Sequence, residues 1–408
     1  MINKVLWSII TVSSRLLVSF GIFFILAKFT TQNIFGIAIY QYTLAVIISL
    51  FIDFGSNLRL SKDLVKLDCI NREKLITETL IQKIILSLIS IFLITIFFIN
   101  DDNFYTLIIL VLSQCFNIIG STYFPLLRAQ EKFKTESKIV LINNIFTLLV
   151  FLLYYYFFNE PLCSFAISFL FGKTILLLLF IFNNKYIFNN KSGFNNKSGF
   201  NFDFKYMTPF FLHASLGFLY INIDTIIIKE LLGFEDVAIY QVAMKVLLAV
   251  CILIEIFSNI YLPYIINFGY DINRKIILKK HNELFLLTIL IGTILSVFCY
   301  ILLYYISPVI LGSNYVFSSY FCFLISLVVF MRYFGVYPGI LITISNKQYL
   351  RVIGGFLALL ALIISLYFYI PKYGIFGAAL STFIAHVIIN SVYLYGSYNI
   401  RKDNEIPS

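Results

Sequence analysis

Residues 38–41 read Ala38-Ile39-Tyr40-Gln41, and residues 238–241 repeat the same four letters. Each copy opens a long apolar run, over residues 42–56 in the first case and 242–258 in the second. Each copy also follows an apolar run that ends in a single lysine, Lys28 or Lys229. Because the flanking pattern repeats together with the motif, we interpret the chain as two similar halves.

The composition places both halves in a membrane. Hydrophobic residues make up 60% of the 408 residues and charged residues only 12%, whereas a soluble domain carries roughly 25% charged residues. Apolar runs long enough to cross the hydrocarbon core, about 20 residues each, follow one another along the chain. The sequence therefore predicts an all-α, polytopic membrane protein and excludes a soluble one.

Twelve candidate spans can be drawn, six in each half. The first is interpreted as a retained helix because its run is too long for the apolar part of a signal peptide and contains Arg15. The predicted spans are 5–27, 34–58, 79–99, 105–127, 139–158, 162–182, 206–228, 237–262, 284–306, 317–344, 350–370 and 374–397.

Basic residues are divided unequally between alternate loops. One set of loops, together with both termini, holds 22 lysines and arginines, and the other set holds only Lys28, Lys229 and Lys372. Basic loops stay in the cytoplasm, so both termini are predicted to be cytoplasmic. The formal charge of +10 is therefore a topology signal and does not indicate a nucleic-acid partner.

A polar tract separates the halves. Residues 188–193, Phe-Asn-Asn-Lys-Ser-Gly, are followed at once by an identical copy at 194–199. Such a tract cannot bury a core, so it serves either as a hinge or as a permissive linker that arose by tandem duplication. We predict an N-terminal lobe at 1–182, a flexible cytoplasmic linker at 183–205 and a C-terminal lobe at 206–408. Since both lobes enter from the cytoplasm, they are expected to be parallel repeats about an axis normal to the membrane.

Ionisable side chains deep in a span cost at least about 2.5–3.5 kcal/mol on insertion scales, so they are expected to face a cavity or a partner. Four such residues are cations, and one is an acid, Glu255. The cations are divided between the halves, and together they would suit an anionic headgroup such as phosphate; pairing within the helix bundle is the alternative. They are Arg15, Lys173, Lys245 and Arg332.

Three charges lie closer to the ends of their spans. Lys83 is expected to extend to the cytoplasmic interface. Asp53 and Asp224 lie four or five residues from a span end, about 6–8 Å. Together with Glu255 they are candidates for ion coupling or charge pairing.

The remaining features are a predicted kink, two histidines and the cysteines, and none of them indicates a catalytic or metal site. In span 10, Gly335 and Pro338-Gly339 predict a kink whose freed carbonyls can line a cavity. His213 and His386 are interpreted as packing residues rather than proton relays. The six cysteines show no CxxC spacing, and no hydrolase, zinc-peptidase or nucleotide-binding motif is present. We therefore predict no catalytic residue, no metal and no cofactor.

Several stretches are similar to a known family. In the first half they are residues 24–28 (Phe-Ile-Leu-Ala-Lys), 35–40, 52–57 (Ile-Asp-Phe-Gly-Ser-Asn) and 128–134; in the second half they are residues 224–233 and 237–240. These stretches resemble the polysaccharide transporter family, which includes the O-antigen flippases (Wzx-type) of the multidrug/oligosaccharidyl-lipid/polysaccharide exporter superfamily. The last four spans match only in hydropathy, and Thr225 replaces the basic residue that usually follows the aspartate in span 7.

The resemblance implies a MATE-like, two-lobed transporter that works by alternating access. It implies a lipid-linked oligosaccharide on undecaprenyl pyrophosphate as cargo, as in O-antigen, lipopolysaccharide or capsule-like polysaccharide biosynthesis, at the bacterial inner membrane. Membrane lipids and glycan polymerase machinery are the other expected partners. Aromatic residues such as Tyr40 and Tyr240 are candidates for lining the sugar path.

Two alternatives belong to different functional classes. An ion-coupled drug/cation antiporter of the same superfamily would need an acidic cavity, whereas the deep charges here are four cations and one acid. A membrane-embedded polysaccharide polymerase or ligase would need a large outward loop, and the longest predicted outward loop is only about ten residues around 307–315. The flippase hypothesis is therefore preferred over both.

Overall fold

The computed structural model describes residues 2–64, 67, 69–183, 204–254, 274–345 and 347–402. Nearly all of these residues are helical, and these segments contain no strand. The predicted linker at 183–205, apart from its two ends, and Glu255 lie outside the described residues.

Eight helices precede the linker. Two of them, α3 and α6, are short and follow a longer helix after a turn of two residues. The eight helices are α1 (Ile2–Phe29), α2 (Gln32–Asp53), α3 (Ser56–Asp63), α4 (Cys69–Phe98), α5 (Phe104–Gly120), α6 (Tyr123–Ala129), α7 (Phe133–Phe158) and α8 (Pro161–Asn183).

After the linker, the described residues contain eight further α-helices, most of them long. They are α9 (Phe204–Leu231), α10 (Phe234–Val250), α11 (Arg274–Ile301), α12 (Ser307–Leu311), α13 (Ser319–Phe334), α14 (Val336–Ile344), α15 (Tyr349–Tyr373) and α16 (Ile375–Lys402). A π-helical segment, Leu302–Ile306, joins α11 to α12.

The described residues contain eleven helices that are long and apolar enough to cross a membrane. The first predicted span falls within α1, of which Val18–Phe29 is a shorter apolar stretch. The predicted all-α, membrane-spanning class is confirmed. The predicted end of the second span at residue 58 is wrong, because the helix stops at Asp53 and the chain turns through positive φ at Phe54 (42°) and Gly55 (74°).

The chain divides into two compact units. Unit 1 contains residues 1–26 and 37–218, and unit 2 contains residues 27–36 and 219–408. Helix α9 therefore contributes its first half to unit 1 and its second half to unit 2. The end of α1 and the start of α2 belong to unit 2, where a Cβ at Gly36 would overlap the carbonyl of Phe234.

Each unit has its own apolar core. In unit 1, α3, α4, α6, α7 and α8 pack side chains such as Leu60, Ile76, Leu127 and Phe180. In unit 2, one cluster surrounds Tyr337 and Leu341, and another surrounds Ile342 and Ile400.

Large apolar side chains also cover much of the outside. Helix α4 exposes Leu88, Phe92, Ile96 and Phe97 at 56–75%. Exposed apolar side chains of this kind would be unfavourable in water, but they match the hydrocarbon of a bilayer.

Candidate functional site

Two of the four predicted deep cations line cavities, one in each unit. Lys173 lies in a cavity of unit 1, and Arg332 lies in a cavity of unit 2. Lys245 is half-buried elsewhere in unit 2. Arg15 is a residue of helix α1, but its side chain lies outside the described part of the chain.

The cavity of unit 1 lies between helices α5, α7 and α8. Lys173 is twelve residues beyond the start of α8 at Pro161, about 18 Å along the helix axis. The cavity therefore lies near the middle of the predicted bilayer. Its volume is ≈ 240 Å³, and it is lined by Asn117, Ser121, Phe124, Val140, Asn143, Asn144, Lys173 and Leu176.

Three asparagines make this cavity polar. Asn144 donates a long hydrogen bond from Nδ2 to Ser14 Oγ (3.4 Å), which links α7 to α1. Asn143 donates from Nδ2 to Asn144 Oδ1 (3.4 Å), and Asn117 donates from Nδ2 to Gln114 Oε1 (3.2 Å). A cation and three carboxamides, with no acidic residue among the described side chains of the lining, can bind hydroxyl groups or an anion.

The cavity of unit 2 lies at the break in the tenth predicted span, residues 317–344. Helix α13 ends at Phe334 and α14 begins at Val336, with Gly335 between them. The cavity volume is ≈ 330 Å³, and the lining residues are Ile254, Arg332, Gly335, Val336, Gly339, Ile340, Thr343, Arg351, His386, Ile389, Asn390 and Tyr393.

Side chains from α16 form hydrogen bonds with residues near the break between α13 and α14. Asn390 donates from Nδ2 to the Met331 carbonyl (2.7 Å), next to the break. Arg332 donates from Nε to His386 Nε2 (3.3 Å), so the histidine acts as an acceptor here. The predicted kink is present, and Gly335 is its position.

Arginine dominates the charge of the unit 2 cavity. Arg351 donates from Nη1 to Thr343 Oγ1 (2.7 Å) and joins Arg332 among the lining residues. None of the described residues that line this cavity is acidic. Two guanidinium groups, with no carboxylate among the described lining residues, form an environment that favours a bound anion.

Asp224 lies in a separate network of hydroxyl groups in unit 2. Its carboxylate is 1% exposed and accepts from the Thr225 backbone N–H (2.7 Å) and from Tyr240 OH (2.8 Å). Tyr240 OH also lies 2.8 Å from Thr382 Oγ1, and Lys245 interacts electrostatically with the carboxylate. Tyr240 is 0% exposed and lines neither cavity, so its place along a sugar path stays a prediction. Tyr40 is half-buried in the first copy of the motif.

Lys83 does not extend to the membrane surface as expected. Its side chain is 0% exposed, and its Nζ lies 3.3 Å from Asp53 Oδ1. It donates to Asn57 Oδ1 (2.9 Å), Thr122 Oγ1 (2.9 Å) and the Ile118 carbonyl (3.1 Å). The expectation failed because the turn between α5 and α6 leaves polar acceptors within reach of the ammonium group.

Asp53 pairs with this lysine at the end of α2. It also accepts from Ser56 Oγ (3.0 Å) across the turn that contains Gly55. Asn57 donates from Nδ2 to Ser121 Oγ (3.2 Å), which connects the turn to the break after α5. Lys83 therefore connects α4 to three other helices, α2, α3 and α5, a role that hydropathy alone does not indicate.

The cavity asparagines were missed by the sequence reasoning, which searched the spans for charges. Asn143-Asn144 and Asn390 stand in mid-span among apolar residues, and polar residues there usually bond across helices or face a cavity. A search for carboxamides as well as charges would have found them.

Solved structures with the same fold are membrane transporters. An inward-facing multidrug resistance MATE family transporter of the MOP superfamily superposes with a TM-score of 0.74 at 12% identity, covering 99% of this chain and 96% of that one. The lipid II flippase MurJ superposes with a TM-score of 0.72 at 17% identity, covering 96% of this chain and 87% of that one. A variant of the Vibrio cholerae MATE transporter VcmN gives a TM-score of 0.59 at 12% identity, covering 100% of this chain and 98% of that one.

The resemblance inferred from the motifs is confirmed at the level of the family and of the MATE-like fold. No curated protein sequence matches the chain. The family model described as polysaccharide biosynthesis protein matches residues 1–268, which is well over half of the chain. The chain therefore belongs to the polysaccharide biosynthesis protein family.

Proposed function

We propose that this protein is a flippase that moves a lipid-linked oligosaccharide across the bacterial inner membrane by alternating access. The cargo would be an O-antigen or capsule-like repeat unit on undecaprenyl pyrophosphate. Membership of the polysaccharide biosynthesis family supports this proposal, as does the fold shared with a lipid II flippase.

The cavity around Arg332 is the observation that carries the proposal. A lipid-linked sugar that crosses the bilayer takes its diphosphate through hydrocarbon, where an unpaired anion is very costly. Arg332 lies midway between Ser319 and Ile344, and Arg351 lines the same cavity. A guanidinium group can donate two parallel hydrogen bonds to the oxygens of one phosphate, and it stays protonated.

The remaining predicted cations are candidates for the same cargo. Arg15 and Lys245 remain candidate contacts for the diphosphate on the sequence argument, and Lys173 is a candidate contact for some part of the cargo. Asp53, Asp224 and Glu255 remain candidates for ion coupling or charge pairing. Of the two acids that the structure describes, Asp224 is the more buried at 1% exposure, and Asp53 is ion-paired with Lys83.

The proposal includes a location and partners. Both termini would be cytoplasmic, because the basic loops lie on that side. The partners would be the polyprenyl pyrophosphate glycan, the surrounding lipids and the glycan polymerase machinery. No cofactor, metal or nucleic acid is part of the proposal.

The test replaces Arg332 with alanine in a strain whose only flippase is this protein. We expect surface glycan to fall about tenfold or more, since a hydrogen bond to a charged group contributes roughly 1.5–3 kcal/mol. Arg332→Lys should retain part of the activity, because it keeps the charge but loses the bidentate geometry.

Lys372→Ala is the matched control. Lys372 lies at the end of α15, with Nζ 3.9 Å from the Phe368 ring centroid, and lines neither cavity. It should give normal surface glycan. Normal glycan from Arg332→Ala at equal membrane levels would show that the cavity does not bind the cargo.

A drug/cation antiporter is the second candidate, favoured by the fold shared with a multidrug MATE transporter and by the buried Asp224 carboxylate. A transporter of this kind would export a cationic dye such as rhodamine 6G from loaded cells. Dye export that is lost in Asp224→Asn and unaffected in Arg332→Ala would favour this candidate over the flippase.

A further inference from the structure

One acceptor in the unit 1 cavity has no hydrogen-bond donor among the residues that the structure describes. Asn143 is 4% exposed, and its Oδ1 has no hydrogen-bond donor within the described part of the chain. The same residue lines the cavity together with Lys173. Buried polar atoms are nearly always paired, so the free Oδ1 points to something that occupies the cavity.

The chemistry of this atom limits the occupant. A carboxamide oxygen accepts hydrogen bonds and needs a donor opposite it. A fully ionised diphosphate offers acceptors only, so it would leave Oδ1 unsatisfied. A hydroxyl group can donate to Oδ1, and it can also accept from the Lys173 ammonium.

The other walls match a sugar ring. Phe124, Val140 and Leu176 form an apolar side, against which the C–H face of a pyranose can pack. The carboxamides of Asn117 and Asn144 add polar groups on the other walls. A cationic drug could donate to Oδ1, but the ammonium of Lys173 would repel it.

The cavity volume sets the size of the occupant. At ≈ 240 Å³ the cavity is smaller than the roughly 300–1,000 Å³ of typical pockets for drug-sized ligands. It would hold about eight water molecules at roughly 30 Å³ each. One monosaccharide fits this space, whereas a chain of several sugars does not.

We propose that the cavity lined by Asn143 and Lys173 binds a single sugar ring of the cargo through its hydroxyl groups. This inference rests on the proposed function and deepens it, because it assigns Lys173 to the sugar and leaves the diphosphate to other cations. Asn143 Oδ1 accepts from one hydroxyl group of the ring, and Lys173 donates to another.

The experiment compares farnesyl diphosphate with the same compound carrying one hexose. Glucose, galactose and N-acetylglucosamine are each attached in turn, and dissociation constants are measured on the full-length protein in lipid nanodiscs. We expect at least one glycosylated probe to bind about three- to tenfold more tightly than farnesyl diphosphate, the gain expected when one or two hydrogen bonds to the protein replace hydrogen bonds to water.

Two variants test the cavity. Asn143→Leu keeps a similar shape and removes the acceptor, so the affinity ratio of the two probes should fall clearly towards one, with the Lys173 hydrogen bond retained. Val140→Phe fills the cavity from its apolar side and should have the same effect without touching the amide. Asn183→Leu is the control, because Asn183 is an exposed asparagine at the end of α8; it should keep the wild-type ratio.

The outcomes separate this inference from the proposed function. If both cavity variants keep the preference for a glycosylated probe, the sugar binds elsewhere and the inference is wrong, while the proposed function stands. If the wild type binds all probes with equal affinity, the sugar adds nothing to binding, and the inference is again wrong. If the wild type binds none of the probes, the proposed function fails and the sugar site fails with it.

Discussion

Lys83 illustrates how a single residue organises part of unit 1. Its ammonium group is removed from solvent, and it contacts Asp53, Asn57, Thr122 and the Ile118 carbonyl. A buried cation is tolerated only where partners replace its hydration. These partners are available because α2 ends in a turn at Gly55 and α5 ends in a break after Gly120.

The first prediction concerns this lysine. Lys83→Met would leave the Asp53 carboxylate without its cation, and breaking a buried pair costs about 3–5 kcal/mol. The apparent unfolding temperature in detergent should therefore fall by roughly 5–10 °C. Adding Asp53→Asn to the same variant should recover part of the loss, because the isolated charge is then removed.

Lys138→Met is the control for this substitution. Lys138 is an exposed residue of α7, so its loss should change the unfolding temperature little. Equal unfolding temperatures for the Lys83 and Lys138 variants would show that the network does not stabilise the fold.

At the scale of elements, the interrupted helices place the polar groups. A continuous helix satisfies its own backbone and presents only side chains, whereas a break frees carbonyl groups and bends the axis. Here the Met331 carbonyl still accepts from the Gly335 N–H at the break, and Asn390 of α16 donates to the same oxygen. The same asparagine lines the cavity with Arg332, so the break and the site depend on each other.

The second prediction tests this arrangement with two glycines. A Cβ at Gly335 would overlap Asn390 Oδ1, whereas a Cβ at Gly355 of α15 meets open space. Gly335→Ala should displace Asn390, lower the unfolding temperature and reduce glycan export. Gly355→Ala should leave both unchanged or raise the stability by up to about 1 kcal/mol, since alanine is the better helix former.

The measurements are thermal unfolding in detergent and surface glycan in the strain used for Arg332. If Gly335→Ala behaves like Gly355→Ala in both, the close contact between α13 and α16 is not required at this position.

At the scale of the whole molecule, the division of basic residues predicts the orientation in the membrane. Twenty-two lysines and arginines lie on one side of the predicted topology and three on the other. Basic loops are retained in the cytoplasm, so residues 100–103 should face outward and the tract at 188–199 should face the cytoplasm.

The third prediction follows from this orientation. In a cysteine-free version of the protein, Asp102→Cys should react with a membrane-impermeant maleimide in intact cells. Ser198→Cys should react only after the membrane is permeabilised. Labelling in the opposite order would reverse the predicted topology and place the termini outside.

The sequence by itself determined the membrane class, the order of the long helices and the family. These follow from local properties, because the transfer of about 20 apolar residues into hydrocarbon depends on composition and not on neighbours in space. The kink at Gly335 could also be predicted from the sequence, because glycine and proline bend the helix that contains them.

The tertiary structure alone decided which polar groups meet. Lys83 reaches Asp53 rather than the membrane surface, Tyr240 is buried against Asp224, and Asn143 faces a cavity beside Lys173. In each case the partner comes from another helix, and packing between helices sets the distance. A buried charge or amide is stabilised by the atoms that surround it, and those atoms are brought together only by the fold.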